Sequence, residues 1–283
     1  MRHLVVIARV VGVEIVFVLG VGLVFGAFWL AGLAGGLYDD YLVRAAGDLA
    51  VAAVVSALVL IYADRIGGVA IDEFRFGFCR RDAAFSAGMV VLILAAGAGY
   101  VAALSAAGIR SVTVTAPALP VLLVGIVGAL GVIHEEITSR GYVLRLLLDR
   151  YGVGFALIGS SVLFSLSHVV FKGVDFMLVG HVFAGLVLGC AYLASRTLLV
   201  PIVLHAAHNL MADLFLQGND SGVSLDIAVY HFAPSWGWNW RLPFDLALSL
   251  VQLVAIWAWY RARTPASTPD EIAAPLTSVT PHP

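Results

Sequence analysis

Apolar residues in this chain run in blocks long enough to cross a bilayer as helices, which takes about 20 residues. The blocks fall at residues 10–36, 46–63, 83–108, 117–136, 152–171, 177–194, 198–216 and 243–260. Backbone polar groups in lipid must be satisfied within their own segment, so apolar blocks of this length predict helices rather than open sheet. The expectation is an all-α polytopic membrane protein, a bundle of about eight transmembrane helices. The polar segments between the blocks test that count, because cytoplasmic loops collect arginine and lysine. With the N-terminus inside, the inner segments hold twelve arginines, and the outer ones hold only Arg44, Arg110, Lys172 and Arg241. An even number of spans then places the C-terminus inside as well.

Other segments add little chemistry. The stretch from Asp64 to Asp82 mixes both signs around Phe76, Gly77 and Phe78 and reads as a surface loop or short interfacial helix. Trp236, Trp238 and Trp240, just before the last span, read as an interfacial aromatic belt. The Pro-, Ser- and Thr-rich stretch 264–283 reads as a disordered cytoplasmic tail behind an integral-membrane domain of 1–263, whose motif core is 117–216. The first apolar run is too long for a secretory signal and is expected to be retained.

Composition agrees with the pattern. Of 283 residues 61% are hydrophobic and 12% charged, with a mean hydropathy of +0.99, against about a quarter charged in soluble domains. A net charge of -2 gives no basic patch and no reason to expect nucleic acid as a partner. Cys79 and Cys190 lie in different elements and suggest neither a disulfide framework nor a thiolate metal site. The preference for arginine over lysine, with abundant Ala, Gly and Val, suggests a bacterial source, hence a multi-pass protein of the inner (plasma) membrane.

Against this apolar background the run Glu135-Glu136-Ile137-Thr138-Ser139-Arg140 stands out, since ionisable groups in a span cost several kcal/mol and persist where they serve a pathway or a reaction. On a helix Glu136 and Arg140 stack one turn apart in the favourable order for an ion pair. Glu135 points about 100° away and is left for other work. A purely structural salt bridge is the plainer alternative, though it needs only one acid per arginine.

Three further interruptions follow: Phe164-Ser165-Leu166-Ser167-His168, His181, and His205-Ala206-Ala207-His208-Asn209. His134 and His181 read more readily as hydrogen-bonded packing residues. In an antiparallel hairpin turning near Tyr151, Glu135 lies 16 residues before the turn and His168 lies 17 after it, so acid and imidazole fall level. Such a pair could hold and deprotonate a water. His205 and Asn209 share a helix face as possible oxyanion donors, with His208 a weaker third. Counted from the turn near Arg196, however, His205 falls closer to the cytoplasmic side than His168; a tilted or interrupted helix would reconcile the two.

These motifs in this order resemble the CPBP family of intramembrane proteases, which includes the CAAX prenyl endopeptidases and bacterial bacteriocin-processing and abortive-infection relatives. The family pattern is Glu-Glu-x-x-x-Arg, Phe-x-x-x-His and His-x-x-x-Asn or Asp, matched here without substitution by Glu135 to Arg140, Phe164 to His168 and His205 to Asn209. The resemblance implies an endopeptidase acting on a membrane-anchored or prenylated peptide or protein in or at the bilayer. Glu135 and His168 would activate water, His205 and Asn209 would stabilise the oxyanion, and Glu136, Arg140 and Phe164 would support them. It leaves two mechanisms open. A metalloprotease would bind a single zinc ion through His168, His205 and Glu135 with a position open for water. A glutamate-type protease would need no cofactor, because a carboxylate in an apolar pocket is a competent base unaided. The second is preferred, since no His-Glu-x-x-His motif is present. The other functional classes are a proton-coupled transporter, for which the paired broken helices of transporters are missing from the pattern, and a non-catalytic immunity or scaffold protein on the same fold.

Overall fold

The computed structural model describes residues 2–35, 40–108, 110–114, 125–172, 174, 177–216, 228–232 and 241–263. The tryptophans at 236, 238 and 240, the first residues of the span expected from 117, and the tail from 264 lie outside the described residues.

The chain folds as an all-α polytopic membrane protein. Helix α1 (Arg2–Leu30) starts well before the expected span and carries Arg9 on its body. Its outward face repeats apolar residues at three or four positions (Leu4, Ile7, Val11, Ile15, Leu19, Leu23), while Val13, Phe17 and Val21 point inward. A helix apolar on both faces suits lipid on one side and protein on the other. Helix α2 (Tyr41–Tyr62) is N-capped by Asp40, whose Oδ1 accepts from the backbone N–H of Leu42 at 2.8 Å and of Val43 at 3.2 Å. It ends in a π turn over Ala63–Gly67, stopped by Gly68 in the left-handed region (φ 70°). Helix α3 (Arg80–Ala106) follows.

The fourth segment departs from expectation. Instead of ending near 136 it stays helical to Tyr151, in four successive geometries: a 3-10 turn over Leu130–Val132, α4 (Ile133–Glu136), a π-helix over Ile137–Leu144 and α5 (Arg145–Tyr151). Gly152, at φ 78°, turns the chain into α6 (Val153–Lys172). Helices α7 (Met177–Ser195), α8 (Leu199–Phe215) and α9 (Arg241–Arg263) complete the bundle. Helices α1, α2, α3, α7 and α9 are long and apolar enough to cross a membrane, and α6 and α8 are shorter apolar helices. A feature not expected from the sequence is an antiparallel ribbon of β1 (Arg110–Val114) with β2 (Ala228–Phe232), pairing Arg110 with Phe232.

Small residues set the closest approaches between helices, as is usual where packing rather than hydrophobicity drives association in lipid. A Cβ on Gly185 of α7 would lie 2.8 Å from the Cα of Ser161 on α6, and one on Gly97 of α3 would lie 2.6 Å from the Met211 side chain on α8.

At one end of the bundle the segment before α3 runs over the surface with a short 3-10 turn over Ile71–Glu73, as expected, but it is anchored at a few points. Phe74 is buried against the place where Gly141 has no side chain. Arg145 pairs with the Glu73 carboxylate and donates from Nη1 to its carbonyl at 2.6 Å. The Arg75 carbonyl accepts from the Leu198 N–H at 2.8 Å. Thr197 and Leu198, in the turn between α7 and α8, are therefore almost fully covered (3% and 0% exposed). The turn that starts α8 is covered by the segment before α3, and His205 reaches Glu136 from a helix without any break, so the depth mismatch expected from the sequence does not arise.

Candidate active site

The π-helix begins directly after the double glutamate, and π geometry concentrates at functional sites because it re-aims side chains within a continuous helix. Glu136 is completely buried. Its Oε1 accepts from Arg140 Nη1 at 2.8 Å, the pairing expected one turn apart. The same oxygen lies 2.7 Å from Nδ1 of His205, 69 residues further on. A carboxylate can only accept from a ring N–H, so Nδ1 of His205 carries the proton. Glu136 is thus more than a partner for Arg140: it also fixes the ring assigned to the oxyanion.

Arg140 is equally buried (1% exposed). Nη2 donates to the Gly185 carbonyl at 3.2 Å, which locks the fourth segment to α7. Its guanidinium lies over the Phe164 ring, 4.4 Å from the centroid, a favourable cation–π distance. Phe164 also meets His168 and His205 edge-on, with ring centroids at 4.9 and 5.6 Å. One aromatic ring therefore spaces the arginine from both imidazoles.

Glu135 and His168 face each other as the hairpin argument predicts, with Oε2 3.8 Å from Nε2. That is beyond hydrogen-bond reach, and at such a separation a water is the natural bridge. His168 Nδ1 lies 2.8 Å from the Phe164 carbonyl. A carbonyl only accepts, so Nδ1 bears the proton, and in the neutral ring Nε2 presents its lone pair towards Glu135.

Both groups line a cavity of about 510 Å³, together with His205, His208, Asn209 and His181. The structure thus brings Glu135, His168, His205 and Asn209 to one cavity, with Glu136, Arg140 and Phe164 behind them. His208 turns partly aside to Gln252 of α9, its Nε2 2.9 Å from the amide nitrogen and 3.0 Å from the amide oxygen. His134 packs: it stacks on Phe17 at 5.3 Å and its Nδ1 donates to the Gly131 carbonyl at 2.6 Å.

Two cavity residues were underweighted by sequence reasoning. His181 stacks on His168, centroids 4.1 Å apart and 22° between planes, a contact between helices that spacing alone cannot reveal. Asp48, an acid inside an apolar block of α2, lines the same cavity, and the backbone of Gly131 approaches it so closely that a Cβ there would lie 3.0 Å from its Cβ.

The zinc alternative needs three convergent donors. Among the described residues no three His, Cys, Asp or Glu side chains are arranged to hold a metal ion. His205 commits Nδ1 to Glu136 and His168 commits Nδ1 to a backbone carbonyl. Both bonds leave Nε2 of the ring turned to the cavity, where it can serve as a base, a donor or a ligand.

No curated protein and no solved structure matches the chain significantly. Residues 117–211 match the family described as Rce1-like, type II CAAX prenyl endopeptidase. The matched segment, about a third of the chain, holds every motif residue gathered at the cavity, from Glu135 to Asn209, and over it the chain is similar to that family of CAAX-type membrane proteases.

Proposed function

We propose that the chain is an intramembrane endopeptidase that hydrolyses a peptide bond in a membrane-anchored or prenylated substrate by metal-free water activation. The observation that carries this reading is the Glu135–His168 pair, 3.8 Å apart across the cavity with the imidazole lone pair turned to the carboxylate. A water between them donates one proton to Glu135 and the other to His168 Nε2, leaving its oxygen lone pairs for the substrate carbonyl carbon. As the C–O bond forms, Glu135 takes the proton and the carbonyl oxygen becomes an oxyanion. When the C–N bond breaks, Glu135 passes that proton to the leaving amine. This is general base followed by general acid catalysis by one group.

The oxyanion faces His205 and Asn209. With Nδ1 held by Glu136, His205 offers Nε2 to the cavity, and a proton carried on that nitrogen makes it a donor to the oxyanion. The Asn209 amide is a second donor from the next turn of the same helix. A lost oxyanion donor costs about 10²–10³ in rate.

The test is cleavage of a membrane-anchored peptide by the purified protein in detergent. Glu135→Ala and His168→Ala are expected to abolish turnover, and His205→Ala and Asn209→Ala to slow it by about a hundredfold or more. Wild-type rates in the first two variants refute the reading. Loss of activity on chelation, restored by zinc, refutes the metal-free step alone.

A further inference from the structure

A second, much smaller pocket lies at the arginine-rich end of the bundle. It is lined by Glu73, Arg75, Arg145, Tyr192, Leu193 and Arg196 and shares no residue with the wall of the catalytic cavity. Its walls come from three places far apart in the chain: the connection before α3, the first turn of α5, and the last turn of α7 with the residue after it. Three arginines stand there against the Glu73 carboxylate. Asp149, one turn beyond Arg145, adds a second negative charge close enough to act on Tyr192 and still leaves the site positive.

The three arginines are not equally engaged. Arg145 commits its fork to Glu73, pairing with the carboxylate and donating from Nη1 to the carbonyl at 2.6 Å. Arg75 and Arg196 are exposed, and among the described residues neither guanidinium has a hydrogen bond or an ion pair. Tyr192 forms the floor. Its ring is sunk among the core residues and it is only 5% exposed. Among the described residues its hydroxyl makes no hydrogen bond, and it lies in the field of Arg145 and Arg75. A buried hydroxyl without a partner is costly, and the pocket is where a partner can reach it.

Size and depth narrow the choice of partner. The pocket is about 20 Å³, room for about one water-sized group. It therefore seats a single oxygen, while the rest of the ligand stays outside between Arg75 and Arg196. An acceptor oxygen on an anion that carries further oxygens for two planar guanidinium forks is what a phosphate presents. Helix α7 is long and apolar enough to cross a membrane, so its last turn lies at headgroup depth, where basic pockets between spans take lipid phosphates.

We propose that this pocket binds a phosphate group, one oxygen accepting from the Tyr192 hydroxyl while Arg75 and Arg196 close on the others. Arg145 is a positioning residue: it holds Glu73 and with it the connection that bears Arg75. The phosphate of an anionic phospholipid and a soluble phosphate offer the same chemistry, and the test tells them apart. A plainer role for Arg196, a cation set against the C-terminal carbonyls of α7, gives a different outcome for the same substitution.

The full chain, purified in a neutral detergent, is titrated at constant ionic strength with short-chain phosphatidylglycerol, with an uncharged diacylglycerol of the same chain length, and with inorganic phosphate. Phosphatidylglycerol is expected to bind saturably and the diacylglycerol not to. Tyr192→Phe, Arg75→Gln and Arg196→Gln are each expected to weaken the binding about tenfold, the loss of one hydrogen bond to a charged group. Inorganic phosphate that binds as tightly as the lipid, with the same dependence on the three residues, supports the site and assigns it to a soluble ligand. Equal affinity in the wild type and all three variants overturns the proposal, as does the lack of saturable binding by either phosphate probe. Diacylglycerol binding as tight as that of phosphatidylglycerol also overturns it, because the acyl chains would then be what is held. If Tyr192→Phe does not fold, the two arginine variants, at exposed positions, decide the matter. Arg196→Gln that lowers the Tm and leaves the affinity unchanged overturns the place of Arg196 in the site.

Discussion

Glu136 holds two cationic or proton-donating groups on one oxygen, and this makes it the least replaceable residue of the site. Removing one member of a buried charge pair leaves the other uncompensated, at a cost of about 3–5 kcal/mol. Arg140→Ala is therefore expected to destabilise the protein by that order in a detergent unfolding titration, and Arg140→Ala with Glu136→Ala by less than the sum of the two single variants. Strict additivity would mean that the ion pair is not formed. The Glu136–Arg140 pair was legible in the sequence because both partners lie on one helix, four residues apart. The Glu136–His205 bond was not, because it joins residues 69 apart on two different helices. His181 is hidden for the same reason. Its stack on His168 gives a further expectation: His181→Ala slows cleavage several-fold while His181→Phe, which keeps a flat ring, largely restores it. Equal rates in the two variants would contradict a positioning role for the ring.

Helix elements carry these residues to one place through close backbone contacts. Gly185 serves twice, as the point where α7 touches α6 and as the carbonyl that accepts from Arg140. Gly185→Val would drive branched carbons into the Ser161 backbone, and overpacking of this kind costs about 1–3 kcal/mol. Its effect on cleavage is expected to exceed that of Gly22→Val, a glycine of α1 with open space around it; equal effects would show that the contact is not needed. Phe74 is the matching case at the end of the bundle that holds Arg145. Phe74→Ala is expected to cost about 3–5 kcal/mol in the same unfolding titration, because it opens the packing under which the α7–α8 turn lies. A change below 1 kcal/mol would show that the Phe74 contact does not anchor the segment. The hydrophobic pattern marks where these helices run, but the π-helix after Glu136 leaves no periodic signature, and the extension of the fourth segment to Tyr151 is masked by the polar residues that the site and the arginine-rich end require.

Across the whole molecule, the class of fold was readable because lipid imposes it: blocks of apolar residues of spanning length leave the backbone one solution. The asymmetry of arginine was readable for a related reason, since loop charge and bundle end coincide in the structure. What the pattern could not supply was the β1–β2 ribbon, whose two five-residue strands lie more than a hundred residues apart, or which residues the cavity gathers. The account converges on one carboxylate and one imidazole. The most direct measurement is the turnover of a membrane-anchored peptide by purified wild-type protein and by Glu135→Gln, compared at equal thermal stability in detergent. The account predicts a loss of at least a hundredfold with the fold intact; cleavage by Glu135→Gln at the wild-type rate would contradict it.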